Sequence, residues 1–163
     1  MHYSIENFSK TQDDNKVIDQ IIKWNSEHYR LNLDADSVSI KKFKLEENES
    51  VPATTDHFPH IGNLYNDQKV AKLTAFLILS SRDQIQGGEF LFKGWTEPTR
   101  KDNFGNVIET SNPYPVYLNE QGTLFCIPSL ETYRSHMIVS GTLEFVKYIF
   151  YGENYKWQNI KKQ

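Results

Sequence analysis

The segment Leu73 to Leu79 (LTAFLIL) is apolar on both of its alternating faces, and at seven residues it is too short for a buried helix. It predicts a central strand covered on both sides. One cover is visible upstream. Val17, Ile18, Ile21, Ile22 and Trp24 fall on a single stripe at 3.6 residues per turn, which predicts an amphipathic helix from about Asp13 to Glu27, with Thr11 or Asp13 as N-cap. The rest of the chain reads as β. SVSIKKFKL alternates through Val38 and Ile40, then resumes one residue out of phase at Phe43 and Leu45, predicting a bulge or strand end at Lys41-Lys42. The stretch EENESVPATTDHFPHIGNLYNDQ reads as loop. QIQGG turns the chain into GGEFLFKGW, which sets Phe90 and Phe92 on one face, and further strands are expected at Val116 to Leu118, Thr123 to Ile127 and Thr142 to Tyr151. One helix ahead of at least six short strands predicts an all-β core, a β-sandwich or jelly roll, with the N-terminal helix packed on one sheet.

Composition narrows the function classes. The 163 residues suit a single domain, 1–163. A polar excursion is expected at 96–115, and a tail at 153–163 that docks or frays. Cys126 is the only cysteine, so no disulfide framework exists within the chain, and its neighbours Phe125 and Ile127 suggest a core position. The net charge of -3 and a pI near 5.9 argue against nucleic acid or an anionic membrane as the partner. The longest apolar run, Ala75 to Leu79, is far below the roughly 20 residues a membrane span needs. The start MHYSIENFSK lacks the basic and apolar regions of a secretory signal. Aromatics, at 13%, suit a β-rich core or contact surfaces.

Two blocks carry a resemblance. In AKLTAFLILSSRDQIQGGEFLF, Lys72-Leu73-Thr74, Leu79-Ser80 and Gly87-Gly88-Glu89 are similar to the strand-turn-strand of the Fe(II)/2-oxoglutarate-dependent oxygenases of the prolyl-hydroxylase type, particularly the short bacterial and phage forms. In QGTLFCIPSLETYRSHMIVSGTLEFVKYIFYG, the places of Gly122-Thr123-Leu124, Pro128-Ser129, Gly141-Thr142 and Gly152 resemble the closing strands of that family without a gap. FKLEENESVPATTDHFPHIGN resembles the segment leading into the metal motif, so the match runs from Val38 to Lys156. The resemblance implies a double-stranded β-helix.

It also implies a facial triad of two His and a carboxylate on Fe(II), and a basic residue that grips 2-oxoglutarate. Carried over residue by residue, His-x-Asp falls on His60-Ile61-Gly62, keeping the imidazole and losing the carboxylate. The distal His falls on Tyr133 and the cofactor-gripping Arg on Leu143, so Gly62, Tyr133 and Leu143 are family positions lost. A register shifted by three would make His136 the distal ligand, with Lys147 as the anchor, since Leu143, Phe145 and Lys147 share a strand face. A His-x-Gly motif also resembles that of related halogenases. His57 and His60 with Asp56 form part of a zinc pattern lacking a third ligand, and Trp95, Tyr114 and Tyr133 are stacking candidates for a metal-free carbohydrate or small-ligand site.

The expectation drawn from these losses is a non-catalytic relative: a structural or interaction module, such as a tailed-phage virion component, located in the virion or host cytoplasm. No cofactor is expected, and other proteins of a larger assembly are the expected partners, with Trp157, Tyr155 and Ile160 of the tail as the contact residues. The alternative is an active Fe(II)/2-oxoglutarate hydroxylase or halogenase using His60, His136 and Lys147.

Overall fold

Alternation along the strands sorts the apolar residues into two cores, one on each face of a single sheet. The computed structural model describes residues 2–4, 13–56, 69–96, 100–101, 103–109, 113–116 and 121–153. In chain order these contain β1 (His2–Ser4), α1 (Asp14–Trp24), β2 (Val38–Leu45), β3 (Thr54–Thr55), β4 (Lys69–Ile78), β5 (Gln86–Gly87), β6 (Phe90–Thr96), β7 (Arg100–Lys101) and β8 (Val107–Glu109). The chain continues with β9 (Pro113–Val116), β10 (Thr123–Pro128), β11 (Thr132–Ser135), β12 (Ile138–Ser140) and β13 (Leu143–Glu153). The major sheet runs β1-β10-β4-β13-β2 and the minor sheet β3-β11-β6-β9, with β12-β5 and β7-β8 as two-stranded ribbons. The architecture is the expected all-β jelly roll with a packed N-terminal helix.

β4 sits at the centre of the major sheet, buried without interruption from Ala71 to Ile78. Leu73, Ala75 and Leu77 join Leu124, Cys126, Val146, Tyr148 and Phe150 under Val17, Ile21 and Trp24 of the helix. Asp13 caps that helix by accepting from the Asn15 and Lys16 N–H groups. The opposite face carries Phe76 and Ile78, which with Phe125, Leu143 and Phe145 meet Phe90, Phe92 and Tyr133 of the minor sheet. Phe76 lies against Phe90, Phe92, Phe125, Tyr133 and Phe145, with ring centroids 5.0 to 6.4 Å apart. Cys126 is fully buried, and burial pushes its thiol well above the usual range, so it is core and not a nucleophile.

Several local expectations are corrected. The helix ends at Trp24 and passes into a π-helical turn, Asn25–Tyr29, that closes on Arg30 at φ 52°. β2 has no bulge: its register with β13 is unbroken from Val38↔Phe150 to Leu45↔Leu143. The change of phase arises because Val38 packs toward the helix, whereas Phe43 and Leu45 pack between the sheets. The loop after β2 holds β3, and the 96–115 excursion contains β7, β8 and most of β9. β9 begins three residues before the expected Val116 start, and positions 117–120 lie outside the described residues. Among the described residues, no helix is long and apolar enough to cross a membrane.

Because Phe76 fills the centre of the aromatic cluster, Phe76→Ala should destabilise the protein by about 3 to 5 kcal/mol in denaturant titration. Ile40→Ala, at a position 40% exposed, should cost under about 0.5 kcal/mol in the same measurement.

Candidate functional site

Two threonines place the central acid. β3 is only Thr54–Thr55, yet it pairs with β11 as Thr55↔Thr132 and Tyr133↔Thr54, and the two threonine hydroxyls of the first pair lie 2.8 Å apart. A second tie fixes the approach: the Val51 N–H donates to the Ser135 hydroxyl at 2.7 Å, and the Ser135 N–H donates to the Val51 carbonyl. Asp56, the next residue after β3, is thereby turned in toward the major sheet, where its side chain is 6% exposed.

Its carboxylate accepts from three side chains. The Lys147 ammonium donates to Oδ1 at 3.1 Å, the Tyr133 hydroxyl to Oδ2 at 3.0 Å, and the Thr74 hydroxyl to Oδ2 at 3.0 Å. Since Thr74 spends its one proton on Asp56, Ser129 must donate across the 2.8 Å contact to Thr74. Lys147 also donates to the Tyr133 oxygen at 3.2 Å and lies 5.3 Å from the centre of the Phe43 ring, which stacks on Phe145. Burial, reinforced by the Asp56 charge and hydrogen bond, pushes the Tyr133 phenol above its ordinary range. Tyr133 therefore acts as a protonated donor. Among the described residues, no buried side-chain nitrogen or oxygen lacks a partner.

Of the residues singled out by the sequence, the structure brings Tyr133 and Lys147 together, with Leu143 and Phe145 lining the same inner face. His136 is elsewhere. It follows the end of β11, half exposed, with Nδ1 3.2 Å from a Glu89 carboxylate oxygen and its N–H donating to the Glu89 carbonyl. Glu89 also pairs with Arg82, whose guanidinium donates to the Gly87 carbonyl at 2.8 Å. Gly87 stands at φ +86° with a Cβ position blocked by the Met137 carbonyl, so only glycine fits this turn. His57, His60, Gly62, Tyr155, Trp157 and Ile160 lie outside the described residues; Trp95 is on β6 and Tyr114 on β9. Sequence reasoning considered Asp56 only beside His57 and His60. The signal for its larger role is the β-branched pair Thr54-Thr55 inside a polar stretch, a two-residue strand too short for alternation to reveal.

This donor set is a test of fit for Fe(II) and 2-oxoglutarate. Asp56 gives one carboxylate, already accepting from three donors, while Tyr133 is a protonated phenol and Lys147 an ammonium. Among the described residues no group of three His, Cys, Asp or Glu could hold a metal. The described residues alone thus do not compose a facial triad, and no chemical step through the metal follows from them.

No family model matches the sequence, and no curated protein matches it. Solved structures do match its shape. A prolyl-4-hydroxylase from Pseudomonas putida superposes with a TM-score of 0.58 at 12% identity over 93% of this chain and 72% of that one. A viral collagen prolyl hydroxylase from Paramecium Bursaria Chlorella virus-1, solved as a 2OG complex, gives 0.53 at 8% identity over 93% and 77%. A prolyl 4-hydroxylase from Phytophthora capsici gives 0.57 at 11% identity over 85% of this chain and 42% of that one. The expectation of no cofactor is corrected: the chain shares its fold with prolyl hydroxylases, one of them solved as a 2OG complex.

Two outcomes are expected from the site. Lys147→Met should destabilise by about 3 to 5 kcal/mol because it strands a buried carboxylate, and Asp56→Asn with Lys147→Met should recover much of the loss in a double-mutant cycle. For Glu89, burial works to raise the carboxyl, but hydrogen bonds from its own backbone, Arg82 and His136, with the Arg82 charge, hold it below its ordinary 4.5. A depressed acid stabilises the fold above its unfolded pKa and loses that contribution as pH falls through the folded value. Glu89→Gln should therefore flatten the acid limb of thermal stability below about pH 4.5.

Proposed function

We propose that this chain, which has the fold of the prolyl-hydroxylase type of 2-oxoglutarate oxygenase, works as a non-catalytic interaction module within a larger protein assembly. A tailed-phage component, in the virion or the host cytoplasm, is the setting proposed for it. The observation that carries the reading is the commitment of the buried Asp56 carboxylate to Lys147, Tyr133 and Thr74. A facial-triad carboxylate needs an oxygen free for the metal, whereas this one accepts from donors fixed on three strands. Leu143 and Phe145 add to it by filling the inner face with apolar side chains, each worth about 1.5 to 3 kcal/mol when buried. The contact parts in this reading are the 96–115 segment and the tail residues Tyr155, Trp157 and Ile160, whose aromatic and apolar character among polar neighbours is that of interface anchors.

The second reading is an active hydroxylase or His-x-Gly halogenase with His60 and His136 as ligands and Lys147 as the anchor. It is favoured by the shared fold alone. One assay separates the two. With Fe(II), 2-oxoglutarate, ascorbate and oxygen supplied, with and without a prolyl peptide, the wild-type chain is expected to form no more succinate than the His60→Ala variant. Succinate that depends on His60 or Lys147 overturns the non-catalytic reading.

A further inference from the structure

Among the described residues the major sheet ends on β2. Eight residues pair with β13 without a register shift, leaving an outer edge of backbone groups able to pair with another strand, on which exposed lysines oppose pairing with all but an acidic one. Lys41, Lys42 and Lys44 stand exposed along it beside Ile40. Among the described residues, Lys41 and Lys42 have no ion pair, and Lys44 reaches only Glu46, at 3.5 Å between two largely exposed side chains. Alternation puts Ile40, Lys42 and Lys44 on the helix side of the sheet and Lys41 and Phe43 on the other.

Charge selects among the possible occupants. A second copy pairing antiparallel about Lys41 or Lys42 sets lysine against lysine, which like-charge pairing across strands disfavours. The chain's own C-terminal segment carries Lys156, Lys161 and Lys162 and is repelled in the same way. An acidic extended segment is attracted. We propose that the β2 edge docks an acidic strand of another protein by β-augmentation, the main chain supplying affinity and the lysines supplying selection. The inference rests on the interaction-module reading and names its partner class. Opposite Lys44, Phe43, Lys42, Lys41 and Ile40, an antiparallel guest is expected to present acid, apolar, acid, acid and apolar side chains in that order.

The test uses the full chain and a fluorescein-labelled peptide containing Glu-Val-Glu-Glu-Val, with Lys-Val-Lys-Lys-Val as its counterpart. Fluorescence anisotropy should show saturable binding of the acidic peptide that weakens with added salt. Combining Lys41→Glu, Lys42→Glu and Lys44→Glu, all at exposed positions, should weaken it at least about tenfold and transfer the preference to the basic peptide. Amide hydrogen exchange should slow along β2 when the acidic peptide is bound. No saturable binding, equal binding by the charge-reversed chain, or protection elsewhere than β2 overturns the proposal, as does a wild-type dimer whose interface protects β2. Succinate formation in the earlier assay with peptide binding intact would fail the non-catalytic reading alone; absence of both would fail only the docking proposal.

Discussion

The fold depends on a sheet that is buried on both faces. β4 has no solvent side, so every apolar residue along it must find a partner either in the helix or in the minor sheet. That requirement fixes the layers. The helix covers Leu73, Ala75 and Leu77, and the aromatic cluster around Phe76 covers the alternate positions. A one-residue slip of β4 would exchange the two sets, placing Phe76 under the helix and Leu77 among the phenylalanines, so the register is strongly specified. The neighbouring strands inherit the same division: β10 sends Leu124 and Cys126 one way and Phe125 and Ile127 the other.

Inside this framework the Asp56 cluster is a charged feature of the inner face, and its geometry explains how a buried carboxylate is tolerated. A carboxylate removed from water costs several kcal/mol unless its charge and lone pairs are met. Lys147 meets the charge, while Tyr133 and Thr74 donate to the other oxygen. These three donors come from β13, β11 and β4, so the acid ties a two-residue strand of the minor sheet to two strands of the major one. The same arrangement that stabilises Asp56 commits its oxygens to the protein's own side chains. Glu89 repeats the pattern nearer the surface, with Arg82 and His136 drawing two loops onto one carboxylate.

Much of this is legible from residue pattern. The Asp13 cap, the helix stripe, the two-sided strand and the shared inner face of Leu143, Phe145 and Lys147 all follow from short-range periodicity. Failures occurred where periodicity has too few residues to work with. β3 has two residues and β5 has two, and each is held by partners distant in sequence. The apparent slip in β2 misled for the opposite reason: both phases of the strand are used, because one end packs on the helix and the other between the sheets.

The sequence by itself determined the class of fold, the helix and the division of the central strands into two faces, because burial imposes a period on neighbouring residues. It also determined which residue types stand at 133, 143 and 147. Only the tertiary structure decided that Asp56 is the acid at the centre and that Lys147 and Tyr133 meet it. Asp56 lies 77 positions from Tyr133 and 91 from Lys147, and such contacts form when two sheets close on each other, an event that local alternation does not encode.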